Sequence, residues 1–133
     1  MTEMMRTIEI QEFGGPEVLQ LGERMIPKAG DDEIIVKVHA VGVNGPDIIQ
    51  RRGHYPPPKG ASDLLGLEVS GHVHAVGNNV NRWKAGDEVC ALTHGGGYAE
   101  YVSVKADHCM QLPPNVTLQD AAGLPETYFT VWS

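Results

Sequence analysis

Glycine and proline interrupt this chain so often that only short elements fit between them. Sixteen glycines and nine prolines act as punctuation, because glycine is costly inside an element and proline removes the amide hydrogen that a helix interior or central strand needs. The segments between the breaks alternate apolar with polar residues. That combination predicts a mainly β fold, a sandwich or barrel whose strands join by tight turns.

Met5 to Phe13 reads as a first strand, GGP (14–16) as a turn, and Val18 to Arg24 as a second strand ended by IPKAGDDE. EIIVKVHAVGVN (33–44) sets Ile34, Val36, Val38 and Ala40 against Ile35, Lys37, His39 and Val41, giving a third strand. PDIIQRRG (46–53) opens on a proline and an acid and stops at glycine, which predicts one or two helical turns before the proline-rich loop HYPPPKG. In NNVNRWKAGDEV, polar turn residues lead to Gly86-Asp87, which launches a strand from Glu88 to Leu92, with Trp83 packed beneath the turn. HGGGYAEYVSV (94–104) reads as a glycine hairpin turn entering a strand with Tyr98, Glu100 and Val102 on one side. Thr117 suits the N-cap of a short helix, LQDAAG, and Pro125 the first turn of another, PETYFTVWS. No stop signal closes that last helix, so the expectation is that the natural protein continues beyond Ser133.

With 133 residues, 41% of them apolar, the chain suits one domain with its own core. A formal charge of −7 and no basic cluster beyond Arg51-Arg52 exclude a phosphate backbone as partner, so no nucleic acid is expected. No apolar run reaches spanning length, and MTEMMRTIEI lacks an apolar signal core, so no membrane partner is expected either. Two cysteines, Cys90 and Cys109, fit a reducing cytoplasm.

LGLEVSGHVHAVG (65–77) places Glu68, Ser70, His72 and His74 on one face of a strand, opposite Leu67, Val69, Val73 and Ala75. The histidines would lie roughly 7 Å apart, but Glu68 about 14 Å from His72, so the three cannot ligate one metal. The reading adopted is a half-buried strand whose polar residues face solvent. The triplet Gly95 to Gly97 fails as a dinucleotide loop, since Glu100 stands where the last glycine belongs and the next element alternates like a strand. No P-loop, G-x-S-x-G elbow or zinc-spaced cysteine pair occurs.

The ordered series GGPEVLQL, AVGVNGPDIIQRRGHYPPP, LGLEVSGHVHAVG, WKAGDEVCAL, GGGYAEYVSV and AAGLPETYFTVW resembles the medium-chain dehydrogenase/reductase superfamily along nearly the whole chain. Its nearest branch is similar to the zinc-free NADPH-dependent quinone oxidoreductases, particularly the tumour-suppressor-inducible type. The resemblance implies a GroES-like β-barrel catalytic domain with short helices over 1–123, and over 124–133 the start of a helix leading to a Rossmann nucleotide-binding domain that this chain lacks. It also implies NADPH as cofactor, a quinone or other conjugated small molecule as hydride acceptor, and a homodimer formed through the missing domain. This chain alone would hardly turn over.

In the family's zinc enzymes the catalytic ligands occupy positions that fall here on Asn44, Leu67 and Glu126. An amide is a poor zinc ligand and an aliphatic side chain is none, so no metal site is expected. The four-cysteine structural lobe is also missing, because VCALTHGGGYAEY runs straight from strand to turn. A quinone spreads incoming charge over a conjugated ring, so neutral hydrogen-bond donors can replace a Lewis acid. By resemblance, Tyr55 and Asn44 are the catalytic candidates, Asn44, Asp47, Tyr55 and Thr130 approach the cofactor, and Tyr55 and Leu67 approach the substrate. Each has a plainer alternative. Tyr55 can pack on the neighbouring prolines, Asn44 can cap the helix at Pro46, and Asp47 can serve the helix dipole. Thr130 can bond its own helix backbone, and Glu126 can be a first-turn acid. Two rival functions stand beside the quinone reductase: an alkenal or enoyl reductase of the same superfamily, and a non-enzymatic GroES-like binding module. Against the module, the 54–60 loop offers only Tyr55 as a large anchor.

Overall fold

The computed structural model describes residues 3–53 and 62–125. Among these described residues seven strands form two sheets. β1 (Met4–Ile10) and β2 (Leu19–Met25) make an antiparallel ribbon. β3 (Glu33–Val41), β4 (Glu68–Val76), β5 (Glu88–Leu92), β6 (Tyr101–Lys105) and β7 (Cys109–Gln111) form a five-stranded sheet in the order β6-β3-β4-β5-β7. Helix α1 (Gly45–Arg51) leaves the end of β3, and α2 (Leu118–Ala121) follows β7.

The alternation of β3 is borne out in part. Ile34 and Val36 enter the core beside Val69, Val73, Val89 and Trp83, while Ile35, on the other face, is also buried. A strand covered on both sides reads as a continuous apolar run, and IIV at 34–36 is one. Gly71 lets β3 and β4 approach closely: an added Cβ there would collide with the Lys37 carbonyl oxygen. Trp83 is buried as expected.

Four expectations need correction. The sheets do not close into a barrel among the described residues; the β1–β2 ribbon joins the larger sheet through an isolated Thr7–Ala99 bridge. Flanking bonds from Ile8 N–H to the Tyr98 carbonyl (2.9 Å) and from Glu100 N–H to the Arg6 carbonyl (3.1 Å) extend that junction. Second, Gly95 to Gly97 is no hairpin turn, because β5 and β6 are not neighbours and lie on opposite sides of the β3–β4 pair. The triplet instead crosses over residues 62–66, with Gly96 N–H bonded to the Leu64 carbonyl and Tyr98 N–H to that of Leu65 at 3.0 Å each. Gly95 and Gly96 do take positive φ, 83° and 88°. Third, the first strand ends at Ile10 and Phe13 is exposed. Fourth, Glu68 and Ser70 do not face solvent; they are 2% and 0% exposed. Helix α2 covers that face, and the Ser70 hydroxyl donates to the Leu118 carbonyl. His72 and His74, farther along β4, are exposed as read.

Thr117 caps α2 by accepting from Asp120 N–H at 3.1 Å. Strand β7 had no counterpart in the sequence reading. No helix of the described residues is long and apolar enough to cross a membrane. The close β3–β4 approach gives a test: Gly71→Ala should cost more than about 2 kcal/mol in urea unfolding. Gly45→Ala, whose added carbon meets nothing within 4 Å, should stay within about 0.5 kcal/mol. Equal losses would contradict the packing described.

Candidate functional site

Three segments far apart in sequence converge at the start of α1. Asn44 is the N-cap residue, extended at φ −125° and ψ 160°, with Pro46 in the first turn. Asp47 reaches back: its Oδ2 accepts from Asn44 N–H at 3.1 Å, while Asp47 N–H donates to the Asn44 carbonyl at 3.1 Å. Sequence therefore placed the cap correctly. The Asn44 amide has a further partner, donating through Nδ2 to Glu68 Oε1 at 3.0 Å.

Glu68 comes from the first position of β4, where the Gly42 N–H bonds to its backbone carbonyl at 3.1 Å. Gly42 is required by this approach, since a Cβ there would collide with the Glu68 carboxylate. The third segment brings Tyr98, whose hydroxyl donates to Asp47 Oδ2 at 2.9 Å. Asp47 is 2% exposed, and its Oδ1 has no hydrogen-bond partner among the described residues. Arg51, one turn along α1, is buried and donates through Nε to the Gly14 carbonyl at 3.1 Å.

Burial pushes the Tyr98 hydroxyl well above the ordinary tyrosine range, and the bond to Asp47 pushes it the same way. Tyr98 thus stays protonated and acts as a donor only. The chain of contacts runs from Tyr98 through Asp47 to the Asn44 backbone, and from Glu68 to the Asn44 amide. Its effect is to fix both the main chain and the side chain of one asparagine. One of the two Nδ2 hydrogens is spent on Glu68.

Of the residues singled out in the sequence, Asn44 and Asp47 are brought together, and half-buried Leu67 lies next to Glu68. Tyr55, Glu126 and Thr130 lie outside the described residues. Glu68 and Tyr98 were not recognised as parts of the site. An acid between Leu67 and Val69 offered a weak cue for Glu68; Tyr98 carried none, being 51 positions from Asp47. Among the described residues no three His, Cys, Asp or Glu side chains converge as a metal-ligand set.

The family profile described as the alcohol dehydrogenase GroES-like domain matches residues 30–114. A quinone oxidoreductase of Lama guanicoe is 39% identical over 132 residues, covering 97% of this chain and 40% of that protein. The structure of the quinone oxidoreductase from Coxiella burnetii superposes with a TM-score of 0.88 at 30% identity, over 98% of this chain and 44% of that one. For the Escherichia coli quinone oxidoreductase complexed with NADPH the TM-score is 0.79 at 37% identity, over 89% and 36%. The chain thus spans about two fifths of the length of the curated relative.

Tyr98→Phe should cost about 1–3 kcal/mol at neutral pH, because a buried carboxylate loses a donor. A hydroxyl whose folded pKa is raised contributes stability that is lost as pH climbs past the unfolded value, about 10 for tyrosine. The wild-type advantage over Tyr98→Phe should therefore shrink above about pH 10. Urea unfolding of both chains between neutral and alkaline pH measures it; a gap independent of pH would contradict the assignment.

Proposed function

Since the chain belongs to the alcohol dehydrogenase GroES-like domain family, we propose that it forms the catalytic portion of a zinc-independent NADPH:quinone oxidoreductase. The observation that carries this reading is the pinned Asn44 amide, bonded to Glu68 at 3.0 Å, at the position where the family's zinc enzymes place a cysteine ligand. Similarity to quinone oxidoreductases of Lama guanicoe and Coxiella burnetii supports the acceptor class. The Escherichia coli relative complexed with NADPH supports the cofactor.

The donor set does not fit a catalytic zinc. Asn44 offers a neutral amide already engaged by Glu68, and Leu67 offers no donor atom. The same residues do suit a nicotinamide and a flat acceptor. NADPH, when bound, supplies the hydride. Asn44 then directs its remaining N–H at the acceptor oxygen, where negative charge develops, and Tyr55 gives a second donor. Asp47 holds the Asn44 backbone so that the donor is set before the acceptor arrives. Leu67 contributes an apolar wall, and Thr130 borders the cofactor. In this reading residues 124–133 lead into the nucleotide-binding unit, through which the whole protein dimerises.

The test uses the full-length protein and follows NADPH oxidation with 1,2-quinones, 1,4-quinones and 2-enals. Quinones should be preferred, a chelator should change nothing, and Asn44→Ala should lower kcat/KM with quinone about ten- to hundredfold. Tyr55→Phe should lower turnover without loss of fold. A preference for 2-enals would replace the reading with an alkenal reductase, and alcohol oxidation with NAD abolished by chelators would refute it.

A further inference from the structure

Tyr98 anchors Asp47, and its own main chain is held from two sides. Its carbonyl accepts from Ile8 N–H of β1 at 2.9 Å, and its N–H donates to the Leu65 carbonyl of the crossing segment at 3.0 Å. The two holders are separate pieces of chain. A single guanidinium links them.

Arg24 on β2 binds two carboxylates at once. Its Nε and Nη2 donate to Glu9 Oε2 and Oε1 at 2.8 and 2.7 Å, and its Nη1 and Nη2 donate to Asp63 Oδ1 and Oδ2 at 2.7 and 3.1 Å. Glu9 follows Ile8 in β1, and Asp63 stands shortly before Leu65. The contacts therefore close a ring that runs from Ile8 and Glu9 through Arg24 to Asp63 and Leu65, then through Tyr98 back to Ile8.

The Glu9 end of this link is set by its neighbours. Thr7, itself buried, donates its hydroxyl to Glu9 Oε2. Gly22, opposite Thr7 in the ribbon, leaves the space that the acid occupies, since an added Cβ would collide with the Glu9 side chain. An exposed ion pair ordinarily contributes little, because water screens it and two long side chains must be ordered. Here the Glu9 side chain is only 16% exposed, and one planar fork grips both carboxylates bidentately, which a lysine cannot do. The hydrogen bonds from Arg24 hold the Glu9 and Asp63 carboxyls below the usual carboxylate range, so the cluster is charged at neutral pH.

We propose that Arg24 is a positioning residue of the candidate site: by locking β1 to the 62–66 crossing it fixes Tyr98, through Tyr98 the Asp47 carboxylate, and through Asp47 the Asn44 cap. The lock acts on the main chain that carries the site and not on any reacting group. Its consequence for turnover rests on the reading of Asn44 as donor to the acceptor; the positioning itself does not.

Amide hydrogen exchange followed by nuclear magnetic resonance tests the proposal in this chain, with Arg24→Met, Arg24→Lys and Asp63→Asn. Exchange at the Tyr98 and Asn44 backbone N–H groups should quicken about tenfold in Arg24→Met and Asp63→Asn, with Arg24→Lys in between. The reference amides Val73 and Gly86, bonded to the Asp87 and Val73 carbonyls at 2.8 Å each, should keep their wild-type rates. Combining Arg24→Met with Asp63→Asn should add little to either alone, because both break the same link. Arg24→Lys and Asp63→Asn suffice if Arg24→Met does not fold. In the full-length protein Arg24→Lys should lower kcat with quinone about threefold and leave KM for NADPH unchanged. A wild type inert to quinones would sink the reductase reading alone, since exchange decides the positioning without substrate. Unaltered exchange at Tyr98 and Asn44, equal acceleration at Val73 and Gly86, full additivity of the two substitutions, or an unaltered kcat where the wild type reduces quinones would overturn the proposal.

Discussion

Two buried carboxylates holding one asparagine are the constraint on which the candidate site depends. Glu68 and Asp47 are each 2% exposed, an arrangement that costs stability unless their oxygens find donors. Their donors include the Asn44 amide, the Asn44 backbone N–H and the Tyr98 hydroxyl. Bonding these acids and fixing the asparagine are therefore coupled, although Asp47 Oδ1 has no partner among the described residues. Removing any partner leaves a charge in a dry place, which ties the geometry of the amide to the stability of the fold.

The fold supplies these partners through close backbone approaches. Bare Gly42 makes room for the Glu68 carboxylate, and Gly66 runs so near Gly97 that an added Cβ would lie 2.7 Å from its Cα. The crossing at 62–66 and 95–98 positions Tyr98 over α1, and α2 seals the neighbouring face of β4 through Ser70.

What was legible in the sequence was local. The helix at Gly45–Arg51 announced itself by Asn44, Pro46 and Asp47 within four positions, and the cap of α2 by Thr117. The β3 and β5 strands followed from alternation and from Gly86-Asp87. What failed was pairing over distance. Ser70 read as solvent-facing because the element that covers it, α2, lies about fifty residues downstream, and Glu68 because its partner Asn44 lies 24 residues upstream. The glycine triplet read as a hairpin because adjacency in sequence suggested β5 and β6 as neighbours, whereas the sheet inserts β3 and β4 between them. Four of the six motifs fall within the match over residues 30–114, but no motif revealed Tyr98 as the anchor of Asp47.

The most direct measurement is of the Asn44 side-chain amide itself, in nitrogen-labelled chain by nuclear magnetic resonance. In a pinned amide one of the two Nδ2 protons should be protected from solvent exchange, and that protection should vanish in Glu68→Ala while Tyr98→Phe mainly shifts the Asn44 backbone signal. Two Nδ2 protons that both exchange rapidly with solvent, whatever residue stands at position 68, would show that the asparagine is free, and the account of the site would fall.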